Sequence, residues 1–140
     1  MMDNIVLRLA GRIVIPLIFL FALYVQFHGD YGPGGGFQAG VIFASGMILY
    51  GLIFGIRSLQ RLISERLLHV LIASGLLLFS IVGIVPMMLG RNFLDFDILA
   101  LEPLAGQHLG ILLVELGVGI TVAAVMITIF IAFAGRRSGR

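Results

Sequence analysis

Four long apolar runs constrain this chain more than any other feature of its sequence. They cover residues 6–27, 37–56, 67–89 and 109–134. An α-helix rises 1.5 Å per residue, so about 20 apolar residues cross a hydrocarbon layer of roughly 30 Å. Hydrophobic residues make up 60% of the 140-residue chain and charged residues 11%, which is more apolar surface than a soluble domain of this size can bury. The sequence therefore predicts an all-α membrane protein, a single domain of residues 1–140 with four transmembrane helices.

The arginines predict which way the helices cross the membrane. Eight of the nine basic residues lie near the N-terminus, between the second and third runs, or after the fourth run: Arg8, Arg12, Arg57, Arg61, Arg66, Arg136, Arg137 and Arg140. Only Arg91 lies between the third and fourth runs. Because basic residues are retained on the cytoplasmic side, both termini are predicted in the cytoplasm. The net charge of +2 does not indicate a nucleic-acid partner, since the arginines flank apolar runs and form no single patch.

A glycine-rich turn separates the first two runs. Five glycines and Pro33 lie between residues 29 and 36, and each glycine costs a helix roughly 1 kcal/mol relative to alanine. Non-helical backbone at membrane depth needs protein or a water-filled cavity around it, so we expect the turn to pack closely at the start of the second helix. The alternative is a flexible outer loop that happens to be rich in glycine.

Small residues in the second run predict a packing seam. Gly36, Gly40 and Ala44 are spaced four apart, and Gly51 and Gly55 repeat that spacing. Residues four apart share one face of a helix. A neighbouring helix can approach that face closely and gain van der Waals contact that lipid does not supply.

Glu115 is the candidate functional residue of the fourth run. An ionisable group inside a membrane helix is costly unless it is paired, wetted or protonated, so it is a functional-site hypothesis by default. At 100° per residue, His108 lies on the Glu115 side, whereas Gly117 and Thr121 lie on the opposite side. If the small residues pack against the chain's own helices, Glu115 faces outward, where a partner protein must cover it.

The residues disfavour an enzyme. The glycine-rich turn lacks the Lys and Ser/Thr of a phosphate-binding loop, and cysteine is absent. His28, His69 and His108 have no spacing typical of a metal site. No catalytic residue, cofactor or bound metal is therefore expected. His28 and His108 fall near the predicted outer surface, where a pH-sensing role is a weaker hypothesis.

Two segments resemble a known family. Residues 29–40, Gly-Asp-Tyr-Gly-Pro-Gly-Gly-Gly-Phe-Gln-Ala-Gly, and residues 109–122, Leu-Gly-Ile-Leu-Leu-Val-Glu-Leu-Gly-Val-Gly-Ile-Thr-Val, are similar to the MnhB/MrpB family of Mrp-type multisubunit antiporters. The resemblance implies a non-enzymatic, multi-pass subunit of the plasma membrane. It also implies other antiporter subunits as partners, exchange of Na+ for H+, and a role in pH and sodium homeostasis.

The same resemblance assigns residues. It implies that the family's turn motif corresponds to Pro33, Gly34, Gly35, Gly36 and Phe37, and its acidic residue of the last helix to Glu115. Many members carry His where this chain has Asp30. The predicted ion pathway consists of Glu115, His108 and Asp30. Because Na+ needs oxygen ligands, Thr121, Ser45 or backbone carbonyls of the turn are candidate neighbours for the carboxylate.

Two alternatives stay open at this stage. One is a purely structural subunit, either of the antiporter or of an Mrp-like module in a membrane-bound hydrogenase or sulfane-reductase complex. The other is a self-contained small multidrug-type transporter. Such a transporter needs a carboxylate in the membrane part of its first helix and aromatic residues that grip cations. The first run has no carboxylate and the chain has no tryptophan, which disfavours this second alternative.

Overall fold

Helices account for nearly all regular structure in the protein. The computed structural model describes residues 4–29 and 31–136. Within them lie five α-helices and one 3₁₀ turn: α1 (Ile5–His28), α2 (Gly36–Phe54), α3 (Ile56–Leu62), α4 (Glu65–Met88), the 3₁₀ turn (Phe96–Ile98) and α5 (Pro103–Arg136). Four of them, α1, α2, α4 and α5, are long and apolar enough to cross a membrane. The all-α fold with four spans is confirmed, while the cytoplasmic placement of the termini stays a prediction.

The last helix is longer than its apolar run. It begins at Pro103, six positions before the predicted start at residue 109, and contains 34 residues, which corresponds to about 51 Å. Proline suits the first turn of a helix because its missing N–H would have no partner there and its φ is already helical. The polar residues that follow Pro103 therefore extend the helix instead of forming a loop.

The connector between the second and third spans contains a short helix of its own. α3 ends at Leu62 and α4 begins at Glu65. The hydroxyl of Ser64 accepts a hydrogen bond from the backbone N–H of Leu67 at 3.2 Å and caps α4. Gly55 lies between α2 and α3 with φ +96°, so it forms the turn there and does not extend the α2 seam.

α5 is the central helix of the fold. It packs against α2 on one side and α4 on the other, while α1 packs against α2. The largest buried cluster joins α2, α3, α4 and α5 through Ala44, Met47, Leu59, Leu68, Ala124, Ile127 and Ile131. The seams are close: a β-carbon on Gly40 would lie 2.6 Å from the carbonyl oxygen of Gly119, and one on Gly75 would lie 2.7 Å from that of Gly117. The predicted seam at Gly36 and Gly40 is therefore confirmed.

Phe96 packs the loop between α4 and α5 against α5. Its side chain is buried, with 8% exposed, and its ring occupies the space that a β-carbon on Gly110 would need. The carbonyl oxygen of Phe96 occupies the space that a β-carbon on Gly106 would need. The two glycines thus form a shallow seat for the aromatic ring and its backbone.

We expect Phe96→Ala to destabilise the protein by about 3 kcal/mol, the usual cost of removing a buried phenylalanine ring. Thermal unfolding of the purified protein in detergent, followed by the loss of its monodisperse size-exclusion peak, measures the effect. Leu101→Ala is the matched control, because Leu101 lies in the same loop with its side chain fully exposed. Equal unfolding temperatures for the two variants would mean that Phe96 does not anchor the loop.

Candidate functional site

The carboxylate of Glu115 lies against the glycine-rich turn. A β-carbon built on Gly29 would lie 2.8 and 2.9 Å from its two oxygens, and one on Gly35 would lie 3.3 Å from Oε1. A β-carbon on Gly36 would overlap the backbone carbonyl of Glu115 itself. The Glu115 side chain is half-buried, and it sits where only glycines leave room for it.

The expected outward orientation of Glu115 is therefore wrong. Glu115 would face outward if α5 packed through a single face, the one with Gly117 and Thr121. α5 instead packs through two faces, because Gly117 contacts Gly75 of α4 while Gly119 contacts Gly36 of α2. The side chain of Glu115 lies on the α2 side, so this chain covers it in part with its own turn.

Three positions of the turn favour glycine for different steric reasons. Gly29 has helical dihedrals, φ −57° and ψ −32°, so its backbone would accept any residue, but a β-carbon there would meet the nearby carboxylate and, at 3.1 Å, the Cα atom of Gly35. Gly35 has φ +137° and ψ 177°, a region that essentially only glycine adopts. A β-carbon on Gly34 would lie 2.9 Å from the carbonyl oxygen of Val25. The packed turn is what the sequence predicted, in preference to a flexible loop.

The turn is recessed below the ends of α4 and α5 that are joined by their loop. Gly36 faces Glu115, and α5 continues beyond it toward that loop through residues 103–114, about 18 Å of helix. Pro33 and Phe37 of the predicted motif have exposed side chains, so the motif contributes its glycines to the packing and turns its two larger residues away.

Oxygen atoms and a helix terminus surround the carboxylate. A β-carbon built on Gly35 would lie 3.3 Å from the amide oxygen of Gln38 and 3.3 Å from Oε1 of Glu115. The amide oxygen of Gln26 lies 2.8 Å from the β-carbon position of Gly119, one turn along α5. Gly35, at the N-cap position of α2, has no side chain of its own to cap the helix, and the positive dipole end there favours a nearby carboxylate. The arrangement suits a group that gains and loses a cation or proton.

A row of aromatic rings connects the turn to His108. Ring centroids are separated by 5.0 Å between Tyr24 and His28, 6.4 Å between His28 and Tyr31, and 6.5 Å between Tyr31 and His108. His108 lies seven residues before Glu115, about 10 Å along α5 toward the α4–α5 loop. The row contains two histidines and two tyrosines, all able to exchange protons, and it runs from the end of α1 to His108.

Other predicted neighbours of Glu115 lie elsewhere. The hydroxyl of Thr121 donates to the carbonyl oxygen of Gly117 and faces Gly75 of α4. The hydroxyl of Ser45 donates to the carbonyl oxygen of Ile42 on its own helix. Asp30 lies outside the described residues. Sequence reasoning missed Gln26 and Gln38, although a glutamine inside the apolar run 6–27 was a visible signal.

Comparison with known proteins agrees with this architecture. A family described as "Domain related to MnhB subunit of Na+/H+ antiporter" matches residues 6–128. "Putative antiporter subunit mnhB2" of Staphylococcus aureus, in strains Newman and NCTC 8325 / PS 47, is 37% identical over 141 residues. These matches cover 97% of this chain and 98% of each relative. Four apolar helices and antiporter-subunit relatives also fit a multi-pass protein of the plasma membrane. On the family match and on identity across nearly its whole length, this chain belongs to the MnhB family of Na+/H+ antiporter subunits.

Proposed function

We propose that this protein is a membrane subunit of a multisubunit Na+/H+ antiporter in which the carboxylate of Glu115, lodged against the glycine-rich turn, is part of the ion pathway. The other antiporter subunits are its partners, and H+ and Na+ are the ions moved. The observation that carries the proposal is the placement of an ionisable side chain in an apolar helix beside a non-helical turn.

The site offers a cation several oxygen atoms. The carboxylate supplies two of them, the amide oxygen of Gln38 lies beside Gly35, and the carbonyl oxygen of Val25 in α1 lies against Gly34 of the turn. Hard cations bind oxygen ligands, and a carboxylate also binds a proton. These groups lie below the ends of α4 and α5, away from bulk water. In bulk water a carboxylate would stay ionised and hydrated.

The histidines give the site an outer approach. His28 and His108 flank Tyr31 between the exposed end of α1 and the outer part of α5, and unperturbed histidine changes charge near neutral pH. In the proposed role, protons pass along this side of the protein to or from Glu115. Asp30, which precedes Tyr31 in the chain, belongs to the same proposal as a further carboxylate.

A purely structural role is the second candidate, and the tight backbone seam at Gly36 favours it. A structural subunit needs its glycines for packing but does not need an ionisable group at position 115. This role would also suit an Mrp-like module in a hydrogenase or sulfane-reductase complex. The two candidate functions predict different exchange activities when the position or the charge of the carboxylate is changed in a complex that remains assembled.

Gly29→Ala tests whether the position of the carboxylate matters. The helical dihedrals of Gly29 accept alanine, so the new methyl group displaces the two carboxylate oxygens that lie under 3 Å away and also crowds the Cα atom of Gly35 at 3.1 Å. We expect Na+-driven proton movement in vesicles carrying the full complex to fall about tenfold. The added substitution Glu115→Asp, which shortens the side chain by one methylene, should restore part of that loss.

The double variant is the control for folding. If Gly29→Ala simply disrupts the turn, shortening Glu115 will not restore exchange, and native gels will show less assembled complex. Full exchange activity in Gly29→Ala would mean that the carboxylate does not need its place against the turn, and the ion-pathway role would be abandoned.

A further inference from the structure

A narrow apolar slot lies between the α1–α2 hairpin and the α4–α5 hairpin. It encloses about 260 Å³ and is lined by residues of all four spans. Its rim residues Leu23, Phe43 and Leu116 have 51%, 36% and 37% of their surface exposed, whereas Leu68 and Ala124 deep in the slot have 1% and 2%. The slot is therefore open towards the surrounding membrane but too narrow at its base for a broad partner surface.

Gln26 is the polar side chain on the slot wall. Only 6% of it is exposed, and its amide nitrogen Nε2 has no hydrogen-bond partner among the described residues. A buried donor left unpaired is costly and requires an explanation. Because the rest of the wall is apolar, ordered water would lack the two to four polar partners that hold it in place. The slot is thus complementary to an apolar molecule that carries one hydrogen-bond acceptor.

The length and depth of the slot match one lipid chain. From Leu116 to Ile127 it follows eleven residues of α5, about 16 Å, which is about half the roughly 30 Å hydrocarbon layer and thus the depth of one leaflet. Gln26 lies at the outer end, one turn before Gly29. A transmembrane helix, about 10 Å wide, would cover the rim without filling the slot.

We propose that this slot binds one acyl chain of a membrane phospholipid, whose ester carbonyl accepts a hydrogen bond from Nε2 of Gln26. The chain fills the space between the two hairpins and contacts both of them. The carbonyl satisfies the donor that this polypeptide leaves unpaired. The proposal concerns Nε2 of Gln26 and the apolar wall of the slot, and it holds whether or not Glu115 carries ions.

The test uses the intact antiporter complex in vesicles of phosphatidylethanolamine that contain a photoreactive group midway along one acyl chain. After illumination, mass spectrometry locates the labelled residues. We expect label on the slot segment 116–127, reduced about fivefold by Gln26→Leu, as loss of one hydrogen bond implies. Ala123→Phe, which fills the slot with a ring, should reduce the same label without touching Gln26.

Leu77 provides the internal control, because it is 59% exposed on α4 and lies outside the slot. The amount of label on Leu77 should be equal in all variants. Ser45→Leu, on the exposed face of α2, should leave the label on the slot segment unchanged. Unchanged slot labelling in both Gln26→Leu and Ala123→Phe would overturn the proposal. So would a cysteine crosslink from Leu23→Cys, unique in this cysteine-free chain, to another subunit seated over the slot.

Discussion

Gly36→Ala is expected to remove this subunit from the assembled complex. The β-carbon of alanine would overlap the backbone carbonyl of Glu115, and the next atoms it meets, at 2.6 and 2.9 Å, belong to the same backbone. Backbone cannot rotate away as a side chain can, so α2 and α5 must move apart along their seam. Overpacking at such a site costs about 3 kcal/mol or more, a large part of the stability of a small protein.

The measurement is the amount of complex on native gels and in size-exclusion chromatography at equal expression. Gly135→Ala is the matched control, since a β-carbon on this helical glycine of α5 meets nothing within 4 Å. It should be neutral or stabilising by up to about 1 kcal/mol. Normal complex yield from Gly36→Ala would show that α2 and α5 do not pack as closely in the assembly as they do in this structure.

Much of the fold was predictable because a bilayer permits few backbone structures to cross it. A span must be about 20 apolar residues long and must satisfy its own backbone, so four runs gave four helices. The i, i+4 spacing of Gly36 and Gly40 predicted a seam because close helix contacts require small residues. Helix ends were less predictable, since Pro103 and Ser64 extend or begin helices in polar sequence beyond the apolar runs.

The orientation of Glu115 was not predictable from one helix alone. Its periodicity gave the faces of α5 correctly, but the number of neighbours decides which faces are covered. With α2 and α4 on two sides, the face carrying Glu115 and Gly119 became an interface. The unpaired donor of Gln26 was also hidden, because a lone glutamine in an apolar run marks a polar position but does not show whether its amide nitrogen has a partner.

Glu115→Gln is expected to abolish exchange while the complex stays assembled. Glutamine preserves the shape that fits against Gly29 and Gly35, so packing of the turn is retained. Its amide neither ionises nor releases a proton, so it removes only the chemistry. Na+-driven proton movement in vesicles carrying the full complex should fall roughly 100-fold, equivalent to about 2.7 kcal/mol of barrier.

Glu65→Gln is the control for removing a glutamate charge, because Glu65 is exposed in the first turn of α4 and should leave exchange unchanged. Since the substitution at Glu115 alters charge and Gly36→Ala alters packing, the two variants separate ion movement from assembly. Exchange that survives in Glu115→Gln would assign the carboxylate to the structure of the turn alone. Loss of the complex itself would lead to the same conclusion, because a group needed only for ion movement can be neutralised without dismantling the assembly that holds it.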